Sequence, residues 1–406
     1  MARKKILIVS YSDAGGGAFI AAKRILDAML AANMDVKMGV VEKRTNSEAV
    51  FELPKNPDFE MQNAKRNRKN LLQTTNPISH SIGKLSKIDV DYLNQSDFNV
   101  INLHWVAAST ISIEDIAKIK KTVVWTMHDT WPFCGAEHYP NVLENDTRFI
   151  DGYTKENFPE TSSGIDICRI TWIRKKKAWK GKNFHFVALC NKEKECLQRS
   201  ALFKNNNCTV IPNPIPSFFR KINAIELKKY LGIPLGKKII GFGAIRSGGV
   251  KGSDYLIKAL AKLKNKEALH TVIFGDMQSE LLNNVKIQNT VLGTIFNDKI
   301  LALIYNCMDC FVCPSLIETF CQTAHEAMHC GVPVAGFDVM GVSECIEHKK
   351  TGYLAKPFDA DDLARGIEFC LANQEDLSQR SVERANSDYF SAKQIANNYM
   401  DICKKL

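Results

Sequence analysis

The sequence predicts an α/β protein built as two successive domains, each a parallel sheet covered by helices on both faces. Three observations predict it. The chain has 406 residues, too long for one ordinary hydrophobic core. Short apolar runs alternate with stretches of helical periodicity from end to end, the pattern of buried parallel strands joined by crossover helices. The alternation breaks once, at Pro212, Pro214 and Pro216, and then starts again.

The elements follow in order. "KKILIVSY" reads as a buried strand, "SDAGGGA" as a glycine loop and "FIAAKRILDAMLAAN" as an amphipathic helix. "MDVKMGVV" is the next strand, and residues 44–95 are polar and irregular. "FNVINLHW", "SIEDIAKIK" and "KTVVWTMHD" give strand, helix, strand, and residues 131–170 read as a long loop region of the size that often carries function. "FHFVALC" and "CTVIPNPIP" close the first half. After the prolines, "KKIIGFGAI", "SDYLIKALAKLK", "LHTVIFGD", "TVLGTI", "DKILALIYN", "DCFVCPS", "ETFCQTAHEAMHCG", "VPVAGFD", "TGYLAK" and "DADDLARGIEFCLAN" repeat the alternation. Two Rossmann-like domains result. Their expected limits are 1–213, rejoined by a last helix over 390–406, and 214–389.

At 45% hydrophobic and 24% charged residues the composition is that of a globular protein. No apolar run approaches the roughly 20 residues of a spanning helix. The N-terminal "ILIV" is too short for a signal peptide and reads as a first strand. Thirteen cysteines without a disulfide-scaffold spacing suit a reducing compartment, so a cytoplasmic protein is expected. The formal charge of +10 is concentrated in the first half, in "AKRNRK" (Lys65, Arg66, Arg68, Lys69) and "WIRKKKAWKGK". These are either solvated helix faces or a surface for anionic lipid or a phosphorylated acceptor, with Trp172 and Trp179 at the interface. No nucleic-acid motif accompanies them.

Ligands of such sheets bind beyond the C-terminal ends of the strands, and the chemistry-bearing residues fall there. The glycines of "DAGGGA" let backbone N–H groups approach a phosphate at a helix N-terminus. "GFGAIRSGGVKG" places Arg246 and Lys251 in a second glycine-rich loop, where cations can clamp a diphosphate. It is not a Walker A loop, because Gly252 follows Lys251. His104 and His128 end consecutive strands, positions suited to proton or hydrogen-bond work.

"HEAMH" (His325, Glu326, His329) has the spelling of a zinc protease, but it sits inside the second α/β block, followed by a helix stop and a buried strand. "CMDCFVC" (Cys307, Cys310, Cys313) reads as a buried strand rather than a metal knuckle. The acidic stretches at 89–91 and 359–362 read as surface and helix cap. No metal site is expected. Glu318 in the loop after "FVCPS" and Glu326 one turn into the next helix can instead face a ligand lying across that helix N-terminus.

The stretch "PSLIETFCQTAHEAMHCGVPVAGFDVMGVSECIEHKKTGYLAKPFDADDLARGI" resembles the donor-binding half of the retaining GT-B glycosyltransferases of family 4, the glycosyl transferases group 1. Its Glu318 and Glu326 match the family's E-x7-E motif. "DAGGGA", "NLHWV", "TMHDTWPFCGAEHY", "VIPNPI" and "VKG" extend the resemblance over nearly the whole chain, toward members that build bacterial surface polysaccharides such as O-antigen and exopolysaccharide. This chain has Cys321 where the family usually has glycine, "AIR" where it has "GR", and "GAEHY" where related first halves have "GGCHY".

The resemblance implies a GT-B fold, two Rossmann-like domains facing a central cleft, with acceptor on the first and nucleotide sugar on the second. It implies that Glu318 approaches the transferred sugar and that the backbone of Thr319 and Phe320 lies near the diphosphate. Glu326 would bind the ribose hydroxyls, Arg246 and Lys251 the diphosphate, and Gly16 and Gly17 would close on it. His128 would act at the reacting centre, with His104 on the acceptor side. Gly341, Val342 and Ser343 would line the sugar pocket. The implied activity is retaining hexosyl transfer from a UDP- or GDP-sugar to a glycan or polyprenyl-diphosphate-linked acceptor, without cofactor or metal. A nucleotide-sugar epimerase and a non-catalytic nucleotide-sugar-binding protein are the alternatives.

Overall fold

The computed structural model describes residues 4–64, 72–243, 249–275 and 285–406. The chain divides into two compact units, Met1–Pro214 with Ala392–Leu406, and Ile215–Ser391.

The first unit holds strands β1 (Ile6–Ser12), β2 (Val36–Glu42), β3 (Val50–Glu52), β4 (Leu72–Gln73), β5 (Val100–Leu103), β6 (Thr122–Thr126), β7 (Ser163–Gly164), β8 (His185–Ala188) and β9 (Cys208–Val210). Seven of them form a parallel sheet in the order β3-β2-β1-β5-β6-β8-β9, and β4 and β7 form a separate antiparallel ribbon. The strands are apolar on both sides because both faces are covered. Alternate residues of β1 go to different cores. Leu7 and Val9 join the layer containing Trp125 and Phe186, whereas Ile6 and Ile8 join the one containing Ile25 and Met29.

The helix Ala392–Lys405 completes the second of these layers with Ile395, Tyr399 and Ile402. Its Tyr399 hydroxyl shares a 2.9 Å hydrogen bond with the Thr126 hydroxyl at the end of β6. The other layer is dominated by rings. Trp125, Trp179, Phe184, Phe186 and Phe203 contact one another with centroids 4.8–6.0 Å apart, and truncating any of them to alanine costs about 3–5 kcal/mol.

That layer corrects one expectation. Trp172 and Trp179 are 6% and 4% exposed, so neither meets a membrane. The helix Ile167–Ala178 turns Cys168, Trp172 and Lys175 inward, because apolar and amphipathic residues recur at helical spacing within the basic run.

The second unit holds β10 (Lys238–Gly243), β11 (Leu269–Phe274), β12 (Gln288–Val291), β13 (Cys310–Cys313), β14 (Val334–Phe337) and β15 (Gly352–Ala355), all parallel in the order β12-β11-β10-β13-β14-β15. In both sheets the first strand lies in the interior and the order reverses beside it. The switch points fall between β1 and β5 and between β10 and β13, where a crevice opens beyond the strand ends. Among the described residues no helix is long and apolar enough to cross a membrane.

Candidate functional site

In the second unit, the loops leaving β10 and β13 meet at the switch point. Leu316 N donates to Val250 O at 2.7 Å. Gly252 sits at φ +71°, so close that a Cβ there would lie 1.9 Å from Pro314 O; only glycine permits this approach. The contact brings Lys251 to Glu318, and its ammonium donates to Glu318 Oε1. Desolvation where the two loops meet opposes the Lys251 charge although the side chain keeps an open side to water, and the Glu318 carboxylate outweighs it and raises the pKa. Ser315 Oγ donates to the same oxygen at 3.3 Å.

Gly341 supports the loop from a third side. Its N–H donates to Glu318 O at 2.7 Å, and a Cβ on it would lie 2.4 Å from Thr319 O. The structure therefore brings Lys251, Glu318, Thr319, Phe320 and Gly341 together. Val342 is wholly buried, and the Ser343 hydroxyl turns back to Met340 O at 2.7 Å. Arg246 lies outside the described residues, as do Lys65, Arg66, Arg68 and Lys69.

Among the described residues no side chain caps the helix Gln322–His329, and Cys321 at its N-cap is left-handed, φ 61° and ψ 68°. A non-glycine residue there carries about 1–2 kcal/mol of strain. Cys321 Sγ lies 3.0 Å from Cys313 Sγ, a contact that lowers the Cys313 pKa and raises that of Cys321. The residues of HEAMH are used internally. His325 stacks on Phe320 at 4.1 Å, His329 Nδ1 lies 2.7 Å from His325 O in the preceding turn, and Glu326 is buried, accepting from Tyr305 Oη at 3.0 Å.

In the first unit the switch point gathers the glycine loop and both histidines. Asp13 pins the loop by accepting from Arg44 N at 2.7 Å and Thr45 N at 3.1 Å. Gly16 is the N-cap of the helix Gly17–Ala31, which no side chain caps, and a Cβ on Gly17 would touch nothing. Phe19 of that helix packs edge-on against Trp105, centroids 5.4 Å apart.

His104, just past β5, and His128, just past β6, lie Nδ1 to Nε2 at 2.9 Å. Burial pulls the His128 pKa down to about 4 and that of His104 well below the usual range. Both rings are therefore neutral at pH 7, and one donates to the other. Among the described residues, His104 Nε2 is buried without a hydrogen-bond partner.

Asp129 does not orient His128. Its carboxylate binds His138 Nδ1 at 2.6 Å, Trp105 Nε1 at 3.1 Å and Trp131 N at 3.0 Å. Burial pushes its pKa up, but His138 and these donors leave it below the usual value. His138 reaches on to Ser81 Oγ at 2.8 Å, and Tyr139 Oη donates to His128 O at 3.1 Å. Sequence reasoning missed His138 and Trp105 as parts of this cluster, although "EHY" and "LHW" were visible. It also missed Lys175, which is wholly buried, donates to the carbonyls of Trp131, Cys134 and Gly135, and lies 3.7 Å over the Trp131 ring. Burial pulls its pKa down to about 7.

Residues 224–388, nearly all of the second unit, match the family described as Glycosyl transferases group 1. Among curated relatives, an uncharacterized glycosyltransferase of Methanocaldococcus jannaschii is 30% identical over 155 residues, 37% of this chain and 40% of the relative. A GDP-mannose-dependent alpha-mannosyltransferase of Mycolicibacterium smegmatis is 35% identical over 125 residues, 30% of this chain and 31% of the relative. The lipopolysaccharide core biosynthesis mannosyltransferase LpsB of Rhizobium meliloti is 28% identical over 213 residues, 49% and 59%. The chain thus spans about a third to three fifths of the length of these relatives. Anabaena HepE, solved with UDP and glucose, covers 99% of the chain at TM-score 0.69, with all of its own length matched at 18% identity. At that identity the likeness is one of fold, and the fold is GT-B, with two Rossmann-like units.

Proposed function

We propose that this chain, whose second unit is a glycosyl transferases group 1 domain, moves a hexose from a nucleotide sugar to a lipid-linked glycan acceptor in surface-polysaccharide assembly. The observation that carries the proposal is the Lys251–Glu318 pair at the second switch point, beside an uncapped helix N-terminus. A diphosphate arriving there takes Lys251 from Glu318 and meets the helix N–H groups, with Arg246 as a second cation. As the bond to the nucleoside diphosphate lengthens, these groups stabilise the charge developing on the leaving oxygen. No divalent cation is needed for that step in this reading. Glu318, released from its partner, faces the sugar, and the acceptor hydroxyl attacks from the side the leaving group occupied, so the anomeric configuration is retained.

The first unit is the acceptor-binding half in this reading, and its neutral His128 is suited to take a hydrogen bond or proton from a hydroxyl. The relatives named for mannosyl transfer and lipopolysaccharide core synthesis support a hexose donor and a surface glycan. A membrane-borne acceptor is supported by the helix Ile167–Ala178 and the residues after it. Ile170 and Ile173 are 44% and 42% exposed, and Lys177 and Lys180 continue the same face at helical spacing, both exposed. Apolar residues beside cations suit an anionic bilayer surface.

Calorimetric titration with a panel of UDP- and GDP-sugars tests the donor half. One nucleotide sugar is expected to bind the wild type, to bind at least tenfold more weakly to Lys251→Ala, and to do so equally with and without Mg2+. No binding by any member refutes the reading. Vesicle sedimentation tests the membrane half. Equal retention on neutral and anionic vesicles refutes that part alone.

A further inference from the structure

We propose that His80, Glu137 and Cys168 form a structural zinc site in the first unit, separate from the transfer chemistry. The Glu137 carboxylate is 2% exposed. Its Oε1 accepts from Tyr153 Oη and from Gly135 N at 3.2 Å, whereas its Oε2 is buried with no well-formed hydrogen bond among the described residues, and the Cys168 thiol is the one side-chain donor left beside the carboxylate. A buried carboxylate oxygen met by no more than a weak thiol donor calls for a cation or a stronger donor. The groups around it offer a cation its ligands. One ligand atom each from His80, Glu137 and Cys168 lies within 4.8 Å of the other two. Shifts of about 1 Å bring such a triad to the roughly 3.5 Å separations of ligands on tetrahedral zinc.

The donors are prepared for that role. His80 Nδ1 lies 2.8 Å from Ile78 O, so it carries the proton and leaves Nε2 with its lone pair outward, the usual arrangement behind a metal-bound imidazole. Tyr153 and Gly135 hold the carboxylate by its far oxygen in the same sense. Gly135 also keeps the space clear, since a Cβ there would lie 2.8 Å from Glu137 Oε2 and 2.6 Å from Cys168 O. Imidazole, thiolate and carboxylate together favour zinc over calcium or magnesium. The thiol gives up its proton on binding, and thiolate plus carboxylate then neutralise the dication, which suits a buried site. Water takes the fourth position.

The three ligands come from residues 80, 137 and 168, too far apart for any local spacing to reveal. They join the 79–81 segment, which runs antiparallel beside 136–138, to the first turn of the helix Ile167–Ala178. The neighbours of two ligands, Ser81 and His138, are the pair that braces Asp129. Zinc would fix the long 131–170 region next to His138, one of the residues through which that region supports the His104–His128 cluster.

The test needs no turnover and is independent of the proposed donor. Full-length protein is purified without a metal-affinity tag, analysed for metal, and titrated with Co2+ under reducing conditions. The expected result is one zinc per chain and a cobalt–thiolate charge-transfer band, retained in Cys196→Ser and lost in Cys168→Ser. His80→Gln, at a partly exposed residue, keeps a folded chain should Cys168→Ser fail to fold, and it is expected to weaken zinc binding about tenfold or more. Folded wild type with neither zinc nor the cobalt band overturns the proposal. So does a band unchanged in Cys168→Ser or zinc affinity unchanged in His80→Gln.

Discussion

Lys251 and Glu318 form an ion pair across two loops that leave neighbouring strands, β10 and β13. The Lys251 side chain is 55% exposed and that of Glu318 15%. A pair so open to water contributes at most about 1 kcal/mol to folding. Its removal is therefore expected to leave stability nearly unchanged while lowering transfer. Lys251→Ala and Glu318→Gln should each reduce kcat about 10²–10³-fold, with thermal midpoints within a few degrees of wild type. Initial rates alongside calorimetry check both halves, and a large loss of stability would mark the pair as structural.

The histidine cluster sets a pH window. Burial holds the His128 pKa at about 4, against 6.5 when unfolded. Between those values the unfolded chain binds the extra proton, so stability rises with pH. The contribution is complete above pH 6.5 and lost as pH falls toward 4. Denaturant unfolding is expected to show a loss on the order of 1–3 kcal/mol across that window, beyond the loss in His128→Gln. Parallel curves for the two proteins would contradict it.

Cys321 holds a left-handed backbone at a helix N-cap. Glycine adopts that conformation without steric cost and alanine does not. Cys321→Gly should therefore be about 1 kcal/mol more stable than Cys321→Ala, since both lose the same sulfur contact. Urea midpoints decide it, and an alanine variant as stable as the glycine one would show that the position carries no strain.

Lys175 fills its site with an ammonium that three carbonyls and a tryptophan face enclose. Lys175→Met keeps most of the volume but leaves those carbonyls without a donor. A loss of roughly 2–4 kcal/mol is expected, read from chemical denaturation. An unchanged midpoint would mean that the loop closes over the gap.

Much of this architecture is legible in the sequence because its signals are local. The strand "KKILIVSY", its glycine loop and the following helix are contiguous, and so are "FVCPS", Glu318 and the helix after it. Parallel strands buried on both faces leave apolar runs that need no partner to be recognised. The illegible parts are made by distant residues. Asp129 stands next to His128 in the chain, yet it binds His138, because the loop between them folds back and offers a better-aligned imidazole. Lys175, Trp172 and Trp179 belong to a basic run that reads as a solvated face or as a surface for anionic lipid or a phosphorylated acceptor, and only the packing of the helix shows that they point inward. HEAMH spells a metal motif, but aromatic stacking on His325 and the Tyr305 hydroxyl on Glu326 engage its side chains within the unit.

The proposed function requires acceptor-dependent sugar transfer through Lys251 and Glu318. Mass spectrometry of reactions holding a nucleotide-sugar panel, with and without a lipid-diphosphate acceptor extract, tests it most directly. The predicted result is a glycosylated acceptor and free nucleoside diphosphate, both dependent on acceptor and both lost in Glu318→Ala. An isomerised nucleotide sugar formed without acceptor, or a product yield unchanged in Glu318→Ala, would contradict it.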